Sequence, residues 1–336
     1  MSINMKEWIK SIVESKERIA IPIMTHPGIE MCGYTVRQAV TDGGIHAKAI
    51  KKLEELYPAA ATSVIMDLTV EAEAFGAQVL FEDDAIPTVT GRLVSDLESI
   101  QKLDVPGTNS GRIPEYLKAN RLSAEQIVGK PVLAGCIGPF SLAGRLFDLS
   151  EMLMYMYIEP DTIHLLLKKC SALILNYVKA IKETGANGVI MAEPAAGLVS
   201  NEDCISFSSD YIKPIVDEVQ DDDFIVVLHN CGNTGHCTDA MVRTGAAAFH
   251  FGNRIDMIEA IDACPCEALV MGNLDPVGVF KMSEADAVYD STMELLEKTK
   301  AYPNFVLSSG CDIPPQVPQK NIEAFYKALE DFNRHR

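Results

Sequence analysis

Short β-branched or apolar runs alternate with stretches whose apolar residues recur at helical spacing, along almost the whole chain. The runs at residues 19–26, 62–68, 131–137, 188–193, 224–229, 247–252, 269–273 and 304–309 predict strands. Between them, residues 160–182 (PDTIHLLLKKCSALILNYVKAIK) and 285–300 (ADAVYDSTMELLEKTK) predict helices, the second with Ser283 and Glu284 as capping residues. An amphipathic helix is expected at residues 5–16. Strands alternating with helices imply a parallel sheet, and eight repeats imply an α/β fold closed as a (β/α)8 TIM barrel. The competing open, doubly wound sheet finds no support, because no glycine-rich phosphate loop follows the first strand.

One region breaks the regularity. Residues 78–93 (QVLFEDDAIPTVTGRL) predict a hairpin after the second strand, and residues 95–130 a helical excursion containing Pro106-Gly107. Because this insertion, at about 77–130, leaves from a strand's C-terminal end, it is expected on the rim of the barrel mouth. Residues 1–336 are therefore read as one domain.

Composition narrows the function classes. A net charge of −18 argues against nucleic acid and against anionic membrane surfaces, both of which need a basic face. No apolar run approaches the ~18 residues of a membrane span, and the first residues lack a signal-peptide layout. With nine cysteines, these features lead to an expectation of reduced thiols in a cytoplasm.

Barrel chemistry gathers at the C-terminal ends of strands. The fifth predicted strand closes with His229-Asn230-Cys231, and the eighth with Ser309-Gly310-Cys311-Asp312. Residues two apart in an extended stretch point to one side, so His229 and Cys231 pair naturally. A lone His-x-Cys arises easily by chance, and it is Cys311 at an equivalent strand end that makes a metal site. Two thiolates and one imidazole suit Zn2+, and three protein ligands leave a fourth position open, as a catalytic site requires. Glu193, Asp67 and Arg254 also sit at strand ends and are candidate catalytic residues; Glu71 is a weaker one. Cys264 and Cys266 precede the seventh strand and belong at the opposite end. They are read as structural, like Cys32, Cys136, Cys170, Cys204 and Cys237. His26, His46, His164 and His250 are read as core or surface histidines.

At these residues the chain resembles the uroporphyrinogen decarboxylase superfamily, and within it the cobamide-dependent methyltransferases that act on coenzyme M, with their bacterial relatives. The resemblance runs through MDLTVEAEAFG (66–76), GCIGPFSLAGRL (135–146), MAEPAAG (191–197), LHNCGN (228–233), GNLDP (272–276) and SSGCDIPP (308–315). In the methyltransferase branch the His-x-Cys and distant Cys bind zinc, and they map to His229, Cys231 and Cys311. The decarboxylase branch holds its substrate with an arginine-rich segment after the first strand; residues 25–34 here contain no arginine.

The resemblance implies methyl transfer from a methylated corrinoid (methylcobamide), carried by a partner corrinoid protein, to a small thiol activated on zinc. Tetrahydrofolate as acceptor and porphyrinogen decarboxylation are the alternatives.

Overall fold

The computed structural model describes residues 3–335. Its centre is a parallel sheet of seven strands: β1 (Thr62–Ser63), β4 (Val132–Ile137), β5 (Gly188–Ala192), β6 (Ile225–Asn230), β7 (Ala248–Phe251), β8 (Leu269–Leu274) and β9 (Phe305–Ser309). They lie side by side in that order, and every pairing is parallel. A separate antiparallel hairpin joins β2 (Gln78–Leu80) to β3 (Thr88–Thr90), within the expected 78–93. Helices Leu97–Lys102 and Ile113–Gln126 follow it.

Side-chain alternation divides the core into two layers. Ile190 and Ala192 of β5, Ile225 and Val227 of β6, Ala248, Leu269, Met271 and Val306 cluster on the inner face of the sheet. Their neighbours one residue away, such as Val226, Phe249, Val270 and Leu307, pack outward against helices, as parallel strands buried on both faces must. Helix Met5–Glu14 adds Met5 and Ile12 to the inner cluster and begins at Asn4, whose side chain accepts from the Glu7 N–H at 2.8 Å. Helix Pro160–Glu183 spans the expected stretch, and no described helix is long and apolar enough to cross a membrane.

Two predicted strands are corrected. Residues 19–26 form no ladder strand: Ala20 makes a single parallel bridge to Leu307, and a helix begins at His26. Pro22 has no N–H to donate, and the N–H groups of Ile23 and Met24 go to the hydroxyls of Ser309 (3.2 Å) and Ser63 (3.1 Å). The segment still bonds to both edges of the sheet, since Leu307 N–H donates to Ile19 O and Ala60 N–H to Ala20 O. The strand expected at 62–68 is only the two residues of β1. Beyond it the Ile65 N–H donates to His46 Nε2 at 2.9 Å, and Asp67 turns the chain by accepting from the Thr69 N–H.

Of the expected caps of helix Ala285–Lys298, Glu284 takes the N-cap position, but neither side chain bonds the first-turn N–H groups. Ser283 donates instead to Gly278 O and Glu284 pairs with Lys320.

Candidate functional site

The inner-face alternation that carries Ile225 and Val227 continues to His229, so its imidazole emerges at the C-terminal end of β6 from an apolar interior. Asn230 then shapes the turn: its Oδ1 accepts from the N–H groups of Gly232 and Asn233, both at 3.0 Å. Cys231 is held at the start of that turn, and Cys311 stands two residues past the end of β9. The ligand atoms of His229, Cys231 and Cys311 all lie within 4.8 Å of one another.

The donor set fits a metal. Cys311 Sγ is 3.6 Å from His229 Nε2. Tetrahedral zinc with Zn–S of about 2.3 Å and Zn–N of about 2.0 Å would separate such atoms by about 3.6 Å. Among the described residues no fourth His, Cys, Asp or Glu joins the group. The two thiols shift in opposite directions: the hydrogen bond with Cys311 draws Cys231 below the usual thiol range, and the same bond pushes Cys311 up. The pair therefore gives up a first proton more readily than a second.

Behind the trio runs a buried chain of polar atoms. His229 Nδ1 lies 2.8 Å from His250 Nδ1, His250 Nε2 lies 2.9 Å from Ser308 Oγ, and Ser308 Oγ donates to Ile21 O at 2.7 Å. Burial and the neighbouring His229 hold His250 well below the usual imidazole range, so it is neutral. In the sequence His250 reads as a core or surface histidine, and nothing singles out Ser308. The available signal was parity, because both share the inner face with His229.

Three carboxylates stand apart from the trio. Glu193 follows β5 and is 2% exposed. It accepts from the N–H groups of Phe140 (3.0 Å) and Ser141 (2.5 Å) and from Ser208 Oγ (3.3 Å), capping the N-terminus of helix Pro139–Phe147. Burial nevertheless pushes it up to about 7. Asp67 is fully engaged: Oδ1 accepts from Thr69, Oδ2 from Arg112 Nη1 (2.5 Å) and the Tyr116 hydroxyl (3.0 Å). Arg112, which sequence reading missed, ties residues 95–130 to this strand end. Glu71 accepts from the Ile137 N–H at 3.0 Å, and burial pushes it up to about 8. Arg254 is exposed in the loop after β7, where its charge favours the Cys231 thiolate.

A cavity of about 410 Å³ opens beside these strand ends, lined by Leu68, Ser141, Arg145, Pro194, Ala195 and Leu198. Pro265 and Glu267 instead line a groove with the N-terminal helix, which places the Cys264–Cys266 segment at the other end of the sheet.

A family model described as uroporphyrinogen decarboxylase (URO-D) matches residues 18–332. The chain is 30% identical over 277 residues to a protein of Methanosarcina acetivorans named methylcobamide:CoM methyltransferase MtbA, covering 81% of this chain and 80% of that protein. A Methanosarcina mazei protein of the same name is 31% identical over the same shares. A solved structure described as a methyltransferase from Methanosarcina mazei superposes with a TM-score of 0.87 at 22% identity, covering 99% of each chain. That last likeness is one of fold.

Proposed function

The chain belongs to the uroporphyrinogen decarboxylase (URO-D) family, and from that premise we propose that it is a corrinoid-dependent methyltransferase that carries a methyl group from a methylated corrinoid protein to a small thiol. The observation that carries this reading is the convergence of His229, Cys231 and Cys311, with no fourth protein ligand among the described residues. Coverage of most of the chain by relatives named for methylcobamide and coenzyme M supports it.

In this reading the three residues hold one zinc ion, and residues 19–25 complete an eight-membered (β/α)8 barrel of one domain with residues 77–130 on its rim. When bound, zinc supplies Lewis acidity that keeps the acceptor sulfur deprotonated at neutral pH, where a free alkyl thiol is mostly protonated. As thiolates, Cys231 and Cys311 would balance the two positive charges of a bound ion and so leave the acceptor sulfur its nucleophilicity. Arg254 stabilises the thiolate form of Cys231 from the solvent side. The methyl group leaves the corrinoid for sulfur, the corrinoid retains the bonding electron pair, and the thiol proton passes to solvent.

The rest of the catalysis is positioning, which the strand ends provide. Glu193 and Asp67 contribute by fixing helix Pro139–Phe147 and the rim against those ends. The cavity bounded by Ala195 and Leu198 offers an apolar wall to a macrocycle. All nine cysteines are free, which suits a cytoplasmic setting.

Porphyrinogen decarboxylation is disfavoured, because helix His26–Met31 buries His26, Pro27, Gly28 and Ile29 where the decarboxylases present arginines. The test is a screen of coenzyme M, homocysteine and tetrahydrofolate with methylcobalamin, before and after zinc removal. Zinc-dependent formation of a methylated thiol is expected. Methyl transfer that survives loss of zinc, or transfer to tetrahydrofolate alone, would overturn the thiol mechanism.

A further inference from the structure

His229 can ligate a metal through Nε2 only if that nitrogen carries a lone pair rather than a proton. In water a neutral imidazole favours the opposite arrangement, with the proton on Nε2. Something in the fold must select the less favoured tautomer, and the buried chain behind His229 does so by hydrogen-bond direction alone.

The direction is set at the far end. Ile21 O is a carbonyl and can only accept, so Ser308 Oγ donates to it (2.7 Å). With its one hydrogen committed, Ser308 Oγ must accept from His250 Nε2 (2.9 Å), which places a proton on that nitrogen. His250 is fully buried and pairs with no carboxylate among the described residues, so it carries a single ring proton and its Nδ1 is an acceptor. The partner at 2.8 Å is His229 Nδ1, which must then be the donor. His229 is left with an unprotonated Nε2 facing Cys311 at 3.6 Å. His229, His250 and Ser308 are each at most 1% exposed, so no water competes for these bonds.

We propose that His250, oriented by Ser308 and the Ile21 carbonyl, is a positioning residue that fixes His229 as the Nδ1–H tautomer and so presents the Nε2 lone pair to the metal position. The proposal rests on His229 as a zinc ligand for its purpose, but not for its geometry. Partners of this kind are ordinarily carboxylates or backbone carbonyls. Here a second histidine relays the polarity of a carbonyl across the interior, from residue 21 to the end of β6.

The experiment has two readouts. The first is the nitrogen NMR pattern of histidine-labelled protein, as purified and after zinc removal by a chelator, with the His229 signals assigned by their loss in His229→Gln. His229 is expected to carry its proton on Nδ1 in both states. The second is zinc affinity, measured by competition with a chromophoric chelator. His250→Leu and Ser308→Ala should weaken zinc binding about 10- to 100-fold. His250→Gln, whose side-chain carbonyl can accept from His229 Nδ1–H, and Ser308→Thr, which keeps the hydroxyl, should stay near wild type. Circular dichroism confirms that each variant folds.

A wild-type His229 protonated on Nε2 in the zinc-free protein would overturn the proposal, as would His250→Leu binding zinc as tightly as His250→Gln. If the tautomer is as expected but wild-type protein binds no zinc, the relay stands and the metal reading falls.

Discussion

Gly252 and Cys231 meet backbone to backbone: a β-carbon at position 252 would lie 2.7 Å from both Cys231 Cα and Cys231 O. Only glycine allows the loop after β7 to pass so near the residue following β6. Neither atom is the end of a flexible side chain, so an added methyl must move the Cys231 backbone. Gly252→Ala is therefore expected to fold and to weaken zinc binding by at least tenfold, read by chelator competition. Affinity equal to wild type would mean that the Cys231 turn tolerates displacement.

Purified protein should contain one zinc per chain by elemental analysis. His229→Ala, Cys231→Ala and Cys311→Ala should each lose it. Cys264→Ala and Cys266→Ala, at the other end of the sheet, should keep it, and so should Cys237→Ala, whose buried thiol points to the carbonyls of Ala196 and Val199. Loss of metal in the second group but not the first would place the site elsewhere.

Glu193→Gln separates capping from metal retention. The Gln amide turns one acceptor into a donor against the N–H groups of Phe140 and Ser141. Loss of such a cap costs about 1–2 kcal/mol. A lower denaturation midpoint and reduced turnover with unchanged zinc content are expected. Loss of zinc instead would make Glu193 part of the metal's environment.

Glu71 makes stability depend on pH with a defined sign. Its carboxyl, near 4.5 when unfolded, rises to about 8 in the fold because it is buried. Below the lower value both states are protonated and nothing changes. Between the two, the unfolded chain is ionised while the folded protein still binds the proton, so stability falls as pH rises, by about 1.4 kcal/mol per unit. Glu71→Gln mimics the protonated form and keeps an oxygen for the Ile137 N–H. Its advantage over wild type in urea denaturation should be small at pH 5 and reach a few kcal/mol at pH 8. A constant difference across that range would show that Glu71 does not bind a proton in the fold.

The sequence by itself determined what depends on neighbours along the chain. Apolar alternation located strands β4 to β9 within a residue or two, and helical spacing located Pro160–Glu183. The two-residue step from His229 to Cys231, and Cys311 just past a strand, marked the trio because spacing and strand ends are local properties. The first predicted strand forms no ladder and the second stops after two residues, because side chains elsewhere in the sequence, Ser309 and His46, take N–H groups that a ladder would use.

The same cause explains what only the tertiary structure decided. Glu193 and Asp67 read as candidate catalytic carboxylates at strand ends, yet one caps a helix that begins at residue 139 and the other pairs with Arg112. His250 reads as a core or surface histidine and nothing singles out Ser308, until the strand register sets both on the inner face with His229. A hydrogen-bonding group reveals its chemistry in sequence, but not its partner. Which groups meet is settled when the sheet brings strand ends together, and burial then obliges each of them to be satisfied.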